Sequence, residues 1–199
     1  MNSQFPFVAG ALAGLLLGIA PAQANLIVNP GSTTITFSGY NGQPATITGV
    51  LTSGIQGTLL EQTGGTVSFT YLGNESGNVN QFNFAVGNQV LTESSALGAT
   101  IFGSVGPGAL AFSFLDVTTG TGFGNGSNAI VYVANRSTNL YGAFDYIIGF
   151  NDNGSSDGDF DDFVVGVRSV SRSVPEPGTL ALLGLGVAGL GLRRRRKAT

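Results

Sequence analysis

Short runs of alternating apolar and polar residues fill the middle of this 199-residue chain. Val67, Phe69 and Tyr71 alternate with polar neighbours, and residues 81–86 and 109–114 repeat the pattern. A period of two places the apolar side chains on one face of an extended strand, whereas a helix needs a period of about 3.6 residues. The sequence therefore predicts half-buried β-strands.

Turn-forming residues separate these runs. Gly is abundant, with 32 residues in the chain, and Asn, Ser and Thr accompany it between the apolar runs. About eight to ten short strands with such spacers are typical of antiparallel sandwiches and jelly rolls. We expect an all-β fold, a single antiparallel β-sandwich or jelly-roll domain over residues 25–173. About 150 residues suffice for a hydrophobic core of its own.

Three residue types are missing: the chain has no Cys, no His and no Trp. Without Cys no disulfide can stabilise the fold, and without Cys and His the common transition-metal ligands are absent. Ser-His-Asp and Cys-His catalytic arrangements are excluded for the same reason. We expect a protein that is not an enzyme and has no catalytic residues. A hydrolase based on paired carboxylates is the remaining enzymatic alternative.

The predicted domain is acidic. Between Asn25 and Val174 the sequence has ten Asp or Glu and three Arg, a net charge of −7. A surface of this sign repels nucleic acid and anionic membranes and attracts divalent cations. We therefore expect no nucleic-acid partner.

The N-terminus has the pattern of an export signal. An apolar stretch from Val8 to Ile19 is followed by Ala22-Gln23-Ala24, which fits the small-x-small cleavage pattern. We predict a signal peptide over residues 1–24, cleaved after Ala24, and export through the Sec translocon.

The C-terminus combines a stiff peptide with a short apolar run. Val174-Pro175-Glu176-Pro177 favours an extended backbone, because each Pro fixes its own φ and disfavours helix at the preceding residue. As a helix, residues 179–192 would be about 21 Å long at ~1.5 Å per residue, short of the ~30 Å hydrocarbon core. This run predicts a short, weakly held membrane helix, suited to a temporary anchor.

A basic cluster ends the tail. Its cations favour the cytoplasmic side of a membrane, so they act as the stop-transfer element and leave the domain outside the cytoplasm. The cluster consists of Arg193, Arg194, Arg195, Arg196 and Lys197.

The tripartite tail, residues 174–199, resembles the PEP-CTERM protein-sorting signal of Gram-negative bacteria. The resemblance implies an exosortase as partner, with Val174, Pro175, Glu176 and Pro177 as the sorting motif. It also implies transient anchoring in the inner membrane facing the periplasm, cleavage near the Pro-Glu-Pro, and delivery to the cell surface or extracellular space. A permanent tail anchor is the alternative.

An acidic segment near the end of the domain is the candidate site. Half of the domain's acids fall between Asp152 and Asp162, where like charges repel unless a hard cation or hydrogen-bond donors balance them. Ca²⁺ binds carboxylate, amide and carbonyl oxygens, so it is the predicted cofactor if one is present. The alternative is a structural loop whose carboxylates, Asp162 among them, accept hydrogen bonds from their own N–H groups. The predicted metal ligands are Asp152, Asp157, Asp159, Asp161 and Asp162.

The same segment contains a second resemblance. Residues 159–165, Asp-Phe-Asp-Asp-Phe-Val-Val, are similar to the closing motif of a β-sandwich domain of unknown function in exported bacterial proteins, with Asp161 where Asn is more usual. The segment is not an EF-hand loop. If Asp157 is position 1, Asp162 stands where Gly is needed and Arg168 where Glu is needed.

These patterns predict an exported, non-enzymatic surface or extracellular-matrix protein. Association with exopolysaccharide is implied by the resemblance of the tail. The alternative is a Ca²⁺-dependent carbohydrate-binding or adhesin module on the same fold.

Overall fold

The computed structural model describes residues 25–29, 34–36, 53–134, 138–139, 141–152 and 158–171. The predicted signal peptide and the predicted sorting tail, with its apolar run, lie outside these ranges. Within the described ranges no helix is long and apolar enough to cross a membrane. The described residues form an all-β structure whose only helical element is a short 3₁₀ turn, Val86–Asn88. The all-β prediction is therefore confirmed.

Sixteen strands occupy the described ranges. In chain order they are β1 (Leu26–Asn29), β2 (Thr34–Thr36), β3 (Ser53–Ile55), β4 (Thr58–Glu61), β5 (Gly65–Gly73), β6 (Asn80–Phe84), β7 (Gln89–Thr92), β8 (Thr100–Val105), β9 (Gly108–Ala109), β10 (Phe112–Asp116), β11 (Thr121–Gly124), β12 (Ile130–Ala134), β13 (Thr138–Asn139), β14 (Gly142–Ala143), β15 (Tyr146–Phe150) and β16 (Phe163–Ser171).

The strands pair antiparallel in sheets of seven, four, three and two strands. The large sheet has the order β2-β3-β12-β15-β16-β5-β8, and the four-stranded sheet has the order β11-β10-β6-β7. At the centre of the large sheet, β16 lies against β5, with Val165 opposite Tyr71 and Val167 opposite Phe69. The last described strand thus pairs with a strand from the first half of the domain.

The predicted alternation appears in the strands that form the core. Every second residue of β6 and β10 is buried, in the order buried, intermediate, buried, intermediate, buried. Val67, Phe69 and Tyr71 are also buried, as their spacing predicts.

Aromatic rings join the large sheet to the four-stranded sheet. The Phe69 ring of β5 has its centroid 4.8 Å from that of Phe82 and 4.9 Å from that of Phe84, both on β6. Phe114 of β10 stacks on Phe150 of β15 with centroids 4.7 Å apart and an interplanar angle of 8°. The inward faces of both sheets therefore share one hydrophobic core, in which ring pairs add directional attraction to area burial.

Strands β15 and β16 depart from simple alternation because both of their faces are covered. A second apolar cluster on the outer side contains Leu72, Phe144, Ile147 and Val164. Phe144 lies so close to Gly166 that a Cβ at that position would approach the ring to 2.6 Å. Strands that are buried on two faces carry continuous apolar runs, which explains why the sequences of β15 and of the first half of β16 are almost entirely apolar.

The shared aromatic core predicts a large cost for truncating its central ring. We expect Phe69→Ala to lower the free energy of unfolding by about 3–5 kcal/mol, because the ring is fully buried and its loss leaves a cavity. Urea unfolding followed by circular dichroism measures this. Phe102→Ala is the matched control: Phe102 is 63% exposed, and its removal should cost no more than about 0.5 kcal/mol. Equal losses for both variants would contradict the assignment of the core.

Candidate functional site

The strand pairing brings seven described carboxylates to one end of the two main sheets. Asp116, the last residue of β10, lies opposite Asn80, the first residue of β6. Glu93 directly follows β7, whose Thr92 pairs with Gln81 next to Asn80. The other acids follow β5 or β15 or precede β16, and β16 pairs with both of these strands. We call this region the acidic end; its described acids are Glu75, Glu93, Asp116, Asp152, Asp159, Asp161 and Asp162.

Asp152 connects the segment after β15 with the segment before β6 through its hydrogen bonds. Its Oδ2 accepts hydrogen bonds from the Ser76 hydroxyl and from Asn80 Nδ2, both at 2.6 Å. Its Oδ1 accepts one from Asn78 Nδ2 at 3.2 Å. One side chain after β15 therefore holds the segment that leads into β6. Hydrogen bonds to an ionised acceptor are stronger than neutral ones, so this link stabilises the joint between the sheets.

The three donors were not predicted from the sequence. Ser76, Asn78 and Asn80 are spaced by two, and in extended backbone such residues point to the same side. The pattern Ser-x-Asn-x-Asn immediately before an alternating apolar strand was the available signal. Asn and Ser are so common between the strands of this chain that nothing distinguished this run from an ordinary turn.

Two hydrogen bonds organise the acidic segment itself. Asp162 Oδ2 accepts a hydrogen bond from the backbone N–H of Asp152 at 2.7 Å. Asn151 Nδ2 donates to the backbone oxygen of Asp159 at 2.6 Å. The predicted alternative for Asp162, a bond to an N–H group of its own loop, is thus observed.

The predicted metal ligands are distributed as follows. Asp159, Asp161 and Asp162 are buried, Asp152 is half-buried, and Asp157 lies outside the described residues. Among the residues that the structure describes, no three His, Cys, Asp or Glu side chains form a group able to hold a metal ion. The calcium site of all five aspartates therefore stays a prediction.

Asp116 belongs to the acidic end by position and mainly stabilises its own turn. Its Oδ1 accepts from the backbone N–H groups of Thr118 at 2.9 Å and Thr119 at 3.1 Å. Its Oδ2 accepts from the Thr119 hydroxyl at 2.6 Å and, more weakly, from Asn78 Nδ2 at 3.5 Å. Asx turns of this kind end a strand without a ligand.

Glu93 lies against Asn80 in a poorly solvated position. Glu93 Oε1 accepts a hydrogen bond from the backbone N–H of Asn80 at 2.8 Å. Burial raises the pKa of the Glu93 carboxyl above 4.5, and the negative charge of Asp152 raises it further, while the Asn80 bond acts in the opposite direction. Burial, with the Glu93 charge as a smaller cause, also raises the pKa of Tyr71 to about 12. The Glu93 carboxyl thus interacts electrostatically with both Asp152 and Tyr71.

The comparison with family models concerns the tail rather than this domain. The described domain by itself defines a class, all-β proteins with antiparallel sheets. The model of the PEP-CTERM protein-sorting motif matches residues 173–196, so the chain carries that motif and the resemblance of the tail is confirmed. The motif implies exosortase-dependent sorting of an exported protein to the cell surface or beyond. No curated protein and no solved structure shows significant similarity to the chain.

The contacts of Asp152 predict that it stabilises the fold. We expect Asp152→Ala to lower the free energy of unfolding by about 1.5–3 kcal/mol, because Asn80 is buried and its side-chain N–H would lose a charged acceptor. Gln62→Ala truncates an exposed polar side chain away from the acidic end and should change stability by no more than about 0.5 kcal/mol. Urea unfolding of both variants at neutral pH checks the difference. An Asp152→Ala variant as stable as Gln62→Ala would show that the link is not stabilising.

The raised pKa of Glu93 predicts a pH-dependent stability. The folded protein retains the proton at pH values where the unfolded chain has released it, so this group's contribution falls as pH rises above 4.5 toward the raised value. Glu93→Gln removes that contribution. With a chelator present, the stability of wild type minus that of Glu93→Gln should decrease through this window and stay level above it. A difference that rises with pH would contradict the assignment.

Proposed function

We propose that this chain is an exported, non-enzymatic surface or extracellular-matrix protein, sorted and cleaved at its C-terminal tail by an exosortase. The match of residues 173–196 to the PEP-CTERM sorting motif carries this proposal. The signal-peptide pattern at residues 1–24 supports it independently, because it predicts export from the other end of the chain.

The proposed order of events follows from the sequence motifs at the two ends of the chain. Sec delivers the chain, and signal peptidase cuts after Ala24. Residues 179–192 hold the protein briefly in the inner membrane, and the basic cluster keeps its terminus in the cytoplasm. Exosortase then cuts near Pro175-Glu176-Pro177, whose prolines disfavour helix and so favour an extended substrate peptide.

A non-enzymatic role is supported by the chemistry that the chain carries. Without His or Cys, proton transfer would depend mainly on carboxylates. Asp116 and Asp152 already accept two or more hydrogen bonds each from the loops that they stabilise. We include the sandwich architecture in the proposal, since the inner faces of the two main sheets share one core.

Association with a polysaccharide layer is supported by an uncharged groove beside β6, β7 and β10. The groove has a volume of about 220 Å³, and its polar lining includes Asn83, Asn88, Gln89 and Ser113. Amide and hydroxyl groups both donate and accept hydrogen bonds, which matches the hydroxyl groups of neutral sugars. Surface groups of this kind favour many weak contacts with a glycan over one tight site.

Intact mass spectrometry of the native protein tests the sorting proposal. In cells with an active exosortase, we expect the mass of a chain that starts at Asn25 and ends near Pro175-Glu176-Pro177. In cells lacking exosortase, the protein should retain Arg193 to Lys197 and stay in the membrane fraction. Retention of the basic cluster in both strains would mean a permanent anchor.

Fractionation of the same cultures tests the matrix role separately. The processed protein should co-purify with exopolysaccharide and be released when the polysaccharide is digested. A correctly processed protein that remains free in the medium would leave the sorting proposal intact and contradict the matrix role.

A further inference from the structure

We propose that Glu93, Asn80 and Asp152 form a Ca²⁺ site at the acidic end. These residues come from β6 and from the segments after β7 and β15, so only the fold brings them together. The site differs from the set of aspartates expected from the sequence, with which it shares only Asp152. It also goes beyond the sorting function, which concerns the two ends of the chain.

Asn80 connects the two carboxylates. Its backbone N–H donates to Glu93 Oε1 at 2.8 Å, and its side-chain Nδ2 donates to Asp152 Oδ2 at 2.6 Å. Asn80 therefore hydrogen-bonds to both the Glu93 and the Asp152 carboxylate. Each carboxylate keeps one oxygen that does not contact Asn80. Oxygen atoms from separate segments that converge in this way are the usual start of a Ca²⁺ site.

The side-chain oxygen of Asn80 provides the independent observation. Asn80 is 0% exposed, and its Oδ1 has no hydrogen-bond partner within the described structure. A buried amide oxygen without a donor is costly, and native proteins nearly always supply a partner. Because Oδ1 shares a planar amide with the Nδ2 that contacts Asp152, a cation bound at this carboxylate is within its reach.

The charge balance also favours a cation. Arg168 is the only Lys or Arg in the described ranges, and it lies exposed on β16 opposite Ser68, within the strand rather than at its acidic end. No described basic side chain is therefore available to neutralise Glu93 and Asp152.

The types of ligand favour Ca²⁺ over Mg²⁺ and determine the affinity of the site. Two carboxylates with neutral oxygens from Asn80, Asn78 and Ser76 form an all-oxygen set assembled from separate segments of the chain. Ca²⁺ accepts six to eight oxygens in irregular geometry, whereas Mg²⁺ requires a near-ideal octahedron. With only two carboxylates, the affinity should fall in the range of extracellular modules, about 10⁻⁴–10⁻³ M.

Calorimetric titration of the full chain, purified in detergent and stripped with a chelator, tests the site. We expect CaCl₂ to bind in this millimolar range and to raise the melting temperature, and MgCl₂ to do so at least about tenfold more weakly. Glu93→Gln should weaken Ca²⁺ binding at least about tenfold, and Asn80→Asp, which adds a carboxylate at the same place, should strengthen it. Asp145→Asn removes the same charge at the opposite end of β15 from Asp152 and should leave affinity within about twofold.

Terbium luminescence gives a second readout that does not depend on those variants folding. Tb³⁺ substitutes for Ca²⁺ and is excited through a nearby tyrosine. Tyr71 is the candidate, because the Glu93 charge, after burial, contributes to the raised pKa of its hydroxyl. Tyr71→Phe should remove most of the sensitised emission without changing Ca²⁺ affinity. Three results would overturn the proposal: no Ca²⁺ binding by the folded wild type, equal losses in Glu93→Gln and Asp145→Asn, or binding abolished by Asp157→Asn but unaffected by Glu93→Gln.

Discussion

The packing of aromatic rings between the large sheet and the four-stranded sheet is the interaction on which the rest of the structure depends. Phe69 and Phe150 project from one sheet, and Phe82 and Phe114 from the other, so that removing either set would leave the opposite face exposed. The chain has no Cys for a disulfide that would otherwise hold the sheets together. Burial of these rings therefore replaces covalent cross-links as the source of stability for an exported domain.

This core also determines where the carboxylates meet. Packing fixes the positions of β6, β10, β15 and β16, and the polar residues at their ends then converge because neighbouring strands are antiparallel. Asp152 links segments from both sheets only because the rings below it set their spacing. The acidic end thus combines two functions that oppose each other energetically. Its carboxylates stabilise loops as hydrogen-bond acceptors, while their mutual repulsion favours the binding of a cation.

Sorting and folding are carried by separate parts of the chain. The sorting motif occupies residues 173–196, beyond the end of β16 at Ser171. The motif is one contiguous stretch of sequence, so it places few demands on the domain before it. Any role at the cell surface must therefore come from the domain, whose outward features include the uncharged groove at Asn83 and the acidic end.

Local patterns were sufficient for the class of fold and for the tail. Alternation around Phe69 and Phe82 reflects the geometry of an extended chain, and the Pro-Glu-Pro tail is contiguous, so both can be read from the sequence alone. Three features required the tertiary structure. They are the burial of Val164 in the second apolar cluster, the pairing of β5 with β16, and the contacts of Asn80 with Glu93 and Asp152. The sequence by itself determined the all-β class and the sorting motif of the C-terminal tail, because those properties depend on neighbours along the chain. Only the tertiary structure decided which strands are neighbours and which carboxylates share a site, because those contacts join distant residues through packing.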